Sequence, residues 1–78
     1  MKIVGRHKSG CKIVVEKTEL VITWTATSPT GETKNGYQYI VPGKQSAQQA
    51  NIKAKHDARA AAAEWTNGDS RWFWEKGE

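Results

Sequence analysis

Alanine recurs at Ala47, Ala50, Ala54, Ala58 and Ala61 along the segment AQQANIKAKHDARAAAAEW, and Trp65 closes the series. At 100° per residue these positions share one side of an α-helix. A helix of this length spans roughly 30 Å, the width of a small domain. Its inward stripe has almost no side-chain volume, yet protein interiors are close-packed. The layer opposite must therefore supply the bulk.

That layer reads as antiparallel strands. Lys12–Lys17 (KIVVEK) is short, β-branched and apolar. Leu20–Ser28 (LVITWTATS) alternates, with Leu20, Ile22, Trp24 and Ala26 on one face and Val21, Thr23, Thr25 and Thr27 on the other. Period two with one threonine-rich side describes a strand buried on one face and wet on the other. Pro29 and Gly31 in SPTGE fit a turn, and Thr33–Val41 (TKNGYQYIV) returns as a strand unless Asn35-Gly36 itself turns. Tyr37, Tyr39 and Val41 share one of its faces; Gln38 and Ile40 share the other. Residues 1–4 suggest a further short strand, with RHKSG as the following loop.

The helix has its own boundary signals. Pro42-Gly43 breaks the preceding strand, Ser46 with Gln49 forms a capping box, and Asn67-Gly68 offers a left-handed stop. Lys55, Arg59 and Gln48 flank the alanine stripe on one edge; Lys53, Asp57 and Glu64 flank it on the other. Lys53 and Asp57, four residues apart, are placed to pair. A final strand, SRWFWE, puts Trp72 and Trp74 on one face and Arg71 and Phe73 on the opposite one. The two tryptophans, with Trp24, Tyr37 and Tyr39, are the bulk available to fill the space beneath the alanines. The expected architecture is α+β, a single domain over residues 1–78. It has a three- to four-stranded antiparallel sheet and one long helix on one face, in the order β-β-β-α-β.

With 78 residues the chain has room for one small core. Its single cysteine, Cys11, forbids an internal disulfide, which suits a reducing compartment. The first ten residues lack a signal-peptide apolar run, and no stretch approaches a membrane span. A cytoplasmic location follows as the expectation, or the host cytoplasm for a phage-encoded chain.

Catalytic and cofactor signatures are missing. His7 and His56 stand far apart and no metal-ligand spacing occurs, so neither metal nor cofactor is expected. Cys11 and His7 could meet across a turn, but nothing supplies the third, orienting group of a thiol catalyst, and Cys11 reads as a half-buried strand residue. GKQS at Gly43–Ser46 echoes a phosphate-binding loop but lacks its first glycine, and Gln45 intervenes before the hydroxyl. It leaves a capped helix start with Lys44 beside it. The chain reads as a non-enzyme.

What remains is binding. The face away from the helix should carry Lys12, Val14, Glu16, Thr23, Thr25, Thr27, Lys34, Gln38, Ile40, Arg71 and Phe73. Within it Arg71, Phe73, Thr23, Thr25 and Gln38 are the candidate protein-binding residues, since arginine and aromatic side chains are the usual hot spots. The net charge of +4 is concentrated in residues 1–17, where five cations oppose Glu16, and on the helix. Nucleic acid is therefore the alternative partner, gripped by Lys8, Lys12, Lys34, Lys44, Lys55 and Arg59, with threonines and an aromatic on the sheet face. Acids in or beside the strands (Glu16, Glu19, Glu32, Glu75) oppose that alternative. In size and layout the chain is similar to the compact binding and inhibitor proteins that phages and mobile elements encode. That likeness implies a protein-binding regulator or inhibitor.

Overall fold

The computed structural model describes residues 2–41, 43 and 47–77, with the side chain of Ala47 left out. Five strands and one helix follow in the order β1 (Lys2–His7), β2 (Lys12–Lys17), β3 (Val21–Thr27), β4 (Thr33–Tyr39), α1 (Ala47–Thr66) and β5 (Trp72–Lys76). They form one antiparallel sheet in the spatial order β4-β3-β2-β1-β5. The first four strands are a meander; α1 then crosses the sheet and delivers β5 to the far side of β1. The class is the α+β arrangement expected, with one strand more. Residues 2–7 make a full strand because β1 is interior, bonded to β2 on one side and β5 on the other.

The turns follow from side chains that replace missing ladder bonds. Between β3 and β4, Ser28 Oγ accepts the N–H groups of Thr30 and Glu32, and Gly31 takes φ 95°. Between β1 and β2, Gly10 takes φ 100° and donates its N–H to the His7 carbonyl. Asn67 and Gly68 are both left-handed (φ 54° and 77°), and Gly68 N–H reaches the Ala63 carbonyl, which ends α1 as the sequence signals. Asn35-Gly36 does not turn; it is the middle of β4. The Ser46 cap and Lys44 lie outside the described residues.

The core is a sandwich of unequal layers. Ala50, Ala54, Ala58 and Ala62 are fully buried on α1, opposite Ile13, Val15, Ile22 and Ala26. Ala62 takes the place expected of Ala61, which is half-buried. The bulk comes from flat indoles over glycines. Trp24 lies directly opposite Gly36, and a methyl placed on Gly36 would stand 2.6 Å from Cζ2 of that ring. Trp74 lies opposite Gly5 in the same way, at 2.7 Å from Cζ3. Neither glycine has positive φ, so the requirement is for space alone. Leu20 falls outside β3 and is exposed.

This register corrects the face assigned to β4. Ile22, Trp24 and Ala26 point to the helix, and their partners Gln38, Gly36 and Lys34 share that face. Ile40 packs there too. Tyr37 and Tyr39 point away, so they are surface and not core. The tryptophans expected to fill the core do so as half-buried side chains packed against it.

Candidate functional site

Two surfaces of different chemistry emerge. The first is the uncovered sheet face. Across the strands its rows run Thr33, Thr27, Lys12, Arg6, Phe73; then Asn35, Thr25, Val14, Val4, Glu75; then Tyr37, Thr23, Glu16, Lys2. Three aromatic side chains stand on it largely exposed: Tyr37 at 65%, Tyr39 at 63% and Phe73 at 74%. The tyrosine rings meet edge-on at 5.3 Å. Its charges nearly balance, since Lys2, Arg6 and Lys12 face Glu16 and Glu75, and Arg6 Nε donates to Glu75 at 2.8 Å.

The second surface is a corner on the helix side. α1 packs over β3, β4 and β2 and leaves the β1–β5 margin less covered. Its two flanks differ in charge as the helical spacing predicts. Toward β4, Glu64 accepts from Lys34, whose Nζ also donates to the Ala61 carbonyl and stands 5.0 Å from the Trp65 ring. On the exposed face Lys53 pairs with Asp57 at 3.0 Å. Toward β5, Lys55 stands 5.0 Å over the Trp74 ring, and Arg59 and His56 line a cleft whose other wall is Asp69, Ser70 and Trp72.

Asp69 organises this corner. Its carboxylate accepts from Arg71 Nε and a terminal guanidinium nitrogen, both at 3.0 Å, and from the Arg71 backbone N–H; Lys8 Nζ stands 3.7 Å away. The Arg71 hydrogen bonds hold the Asp69 carboxyl far below the ordinary carboxylate range, and the charges of Arg71 and Lys8 add to this against some desolvation. Asp69 in turn raises Arg71, so both groups are ionised together.

Beside Asp69 is a contact series that the sequence spacing did not suggest. Ser9 Oγ is 2.8 Å from His7 Nδ1, and His7 Nε2 is 3.6 Å from Asp69 Oδ2. It has the order of a serine hydrolase triad but not its working geometry. Nδ1 already accepts the backbone N–H of Ser9 at 3.1 Å, so its lone pair is engaged in closing the hairpin. Ser9 Oγ also lies 3.4 Å from Cys11 N–H. The arrangement builds a turn. Cys11 itself is fully buried, not half-buried, which takes its thiol out of reach. Among the described residues no three of His, Cys, Asp and Glu gather as a metal site requires, and no helix is long and apolar enough to cross a membrane.

No family model, curated protein or solved structure matches this chain.

Of the protein-binding set, Thr23, Thr25 and Phe73 share the uncovered face. Gln38 does not: it points beneath the helix, half-buried, with its side-chain oxygen buried and unbonded. Arg71 precedes β5 and is held at the corner by Asp69, away from the face. Of the nucleic-acid set, only Lys12 is on the sheet face. Lys34, Lys55 and Arg59 belong to the helix side, Lys8 to the hairpin tip, and Lys44 lies outside the described residues. Lys34, Lys55 and Arg59 are thus on the opposite side of the sheet from the exposed aromatics, and only Lys12 of the set shares their face. Tyr37 and Tyr39 were missed as site residues because their bulk matched the demand for core volume. The signal that locates them is Gly36, whose missing side chain marks the inward face opposite Trp24.

Proposed function

We propose that this chain is a non-enzymatic protein-binding module, a regulator or inhibitor that docks its partner on the uncovered sheet face. The observation that carries the reading is the exposure of Tyr37, Tyr39 and Phe73 on a face otherwise made of threonine, valine and nearly balanced charge. Rigid aromatics lose little rotamer entropy on contact and dominate interface energetics. Threonines on a flat sheet supply hydrogen bonds without long side chains to immobilise. Near-neutrality argues for protein over nucleic acid on this face, because polyanion binding draws on cations facing one way.

The test is recovery of a stoichiometric complex from a nuclease-treated cell extract in about 0.5 M salt, where simple polyanion attraction is screened. Tyr37→Ala and Phe73→Ala should each fold normally and weaken the complex by about 2 kcal/mol or more, roughly 30-fold in Kd. A complex indifferent to both substitutions overturns the assignment of this face.

A further inference from the structure

The cleft between α1 and β5 is separate from the aromatic sheet face and does not depend on how that face is used. Its contents are a half-buried indole and a surplus of cations. Trp72 lines the cleft opposite Arg59 and His56. Its ring lies 6.2 Å from Trp74, over which Lys55 is placed. Around the Asp69 end, Arg71 and Lys8 complete a second, adjoining hollow that shares Thr66 and Asp69 with the first. Arg71 and Lys8 stand at the Asp69 carboxylate, Arg59 lines the same cleft as Asp69, and Lys55 lies beside that cleft over Trp74. That carboxylate is already taken up by Arg71. No hydrogen bond or ion pair holds the Arg59 guanidinium or the His56 ring among the described residues.

The negative end of α1 is also at this corner and would repel an anion if its carbonyls were bare. Two of them are closed off: Gly68 N–H bonds the Ala63 carbonyl and Asp69 N–H bonds the Thr66 carbonyl. These bonds lessen that repulsion without removing the helix dipole, which the side-chain cations of the cleft have to outweigh.

From this juxtaposition of Trp72 with Arg59, His56 and Lys55 we infer that the α1–β5 cleft binds single-stranded nucleic acid. A phosphate is held by Arg59, with Lys55 or His56 beside it, and a base lies against the Trp72 indole. An indole and a guanidinium across a narrow cleft match the two halves of a nucleotide, a planar ring and an anion. An acidic peptide satisfies the cations and leaves the indole without a planar partner. A duplex presents its phosphates on a wide convex surface and keeps its bases stacked inside. The single strand fits both halves.

The experiment is a tryptophan-fluorescence titration of the whole chain with a single-stranded hexathymidylate and with hexauridylate, at about 50 and 200 mM salt. The expected result is saturable quenching whose affinity falls as salt rises, with a shallower slope once a phosphate contact is removed. Arg59→Glu should weaken binding about tenfold or more. Arg59→Gln, which keeps the side-chain stem, should weaken it by a smaller factor. Lys53→Glu makes the same change of charge on the exposed face of α1, turned from the cleft, and should alter affinity by no more than about twofold at the higher salt, where screening is short-ranged. Circular dichroism checks that each variant is folded. Three results overturn the inference: no quenching at the lower salt, equal losses from Arg59→Glu and Lys53→Glu, or equal affinity for hexaglutamate or for a hairpin duplex of thymidylate with adenylate.

Discussion

Gly36 and Trp24 act as one unit. On a strand, glycine ordinarily costs stability for want of a side chain, but here the indole of the neighbouring strand occupies the space where its Cβ would be. Gly36→Ala removes backbone freedom from the unfolded chain, a gain of about 0.4–1 kcal/mol where the site tolerates a methyl. A methyl 2.6 Å from an aromatic carbon is not tolerated without moving the ring. Overpacking of this kind costs about 1–3 kcal/mol, so the loss outweighs the gain. Gly36→Ala should therefore lower the midpoint of urea unfolding; an unchanged or higher midpoint would mean that Trp24 shifts freely and does not pin the core. The same pairing marks the limit of what could be read from the chain. Alternation along β3 was legible because Ile22, Trp24 and Ala26 contrast with Thr23, Thr25 and Thr27. Along β4 the inward residues are Lys34, Gly36 and Gln38, and the outward ones include Tyr37 and Tyr39, so local hydrophobicity points the wrong way. Only tertiary partners resolve it: Glu64 and Trp65 on α1 for Lys34, and Trp24 on β3 for Gly36.

At the scale of the element, α1 is shaped more by what it must lie on than by its own stability. Alanine favours a helix anywhere, so the stripe by itself could reflect propensity alone. Full burial of Ala50, Ala54, Ala58 and Ala62 against β2 and β3 says otherwise. The helix rests on flat indoles and short aliphatic side chains, and anything larger than a methyl would lift it. Ala58→Leu separates the two explanations, since leucine is also a good helix former. It should destabilise by about 1–3 kcal/mol and shift tryptophan emission to the red as the indoles gain water. If propensity alone explained the stripe, stability and emission would stay as they are. The helix boundary was legible at Asn67-Gly68 because left-handed stops are local chemistry. The basic flank was legible as a flank, but its partner was not: that Lys55 and Arg59 face the last strand depends on β5 joining β1, a pairing of residues about 70 positions apart that no local pattern encodes.

For the whole molecule, the pairing of β5 with β1 makes the sheet mechanically uneven. β2 and β3 are interior strands beneath the helix and contribute all the strand residues of the buried core cluster, Ile13, Val15, Ile22 and Ala26. β5 is an edge strand; it holds to β1 through its ladder and the Gly77 N–H bond to the Lys2 carbonyl. It adds the half-buried Trp72 and Trp74 at the margin that α1 covers least. Opening β5 would expose part of two indoles and leave the β2–β3–α1 core in place, whereas opening β3 would expose Ile22, Ala26 and the alanine stripe together. Local opening free energies range from near zero up to the global value, according to how much burial each opening breaks. Native-state hydrogen exchange should therefore show the β5 amides that bond to β1 opening at least about 1 kcal/mol more easily than the ladder amides between β2 and β3. Exchange at one common free energy would mean that the Trp74 indole over Gly5 ties β5 into the core as firmly as the helix ties β3. The distinction bears on binding, since Trp72 belongs to β5. If β5 opens on its own, a ligand held between Arg59 and Trp72 should close it again and raise the protection of β5 selectively, leaving β2 and β3 as they were.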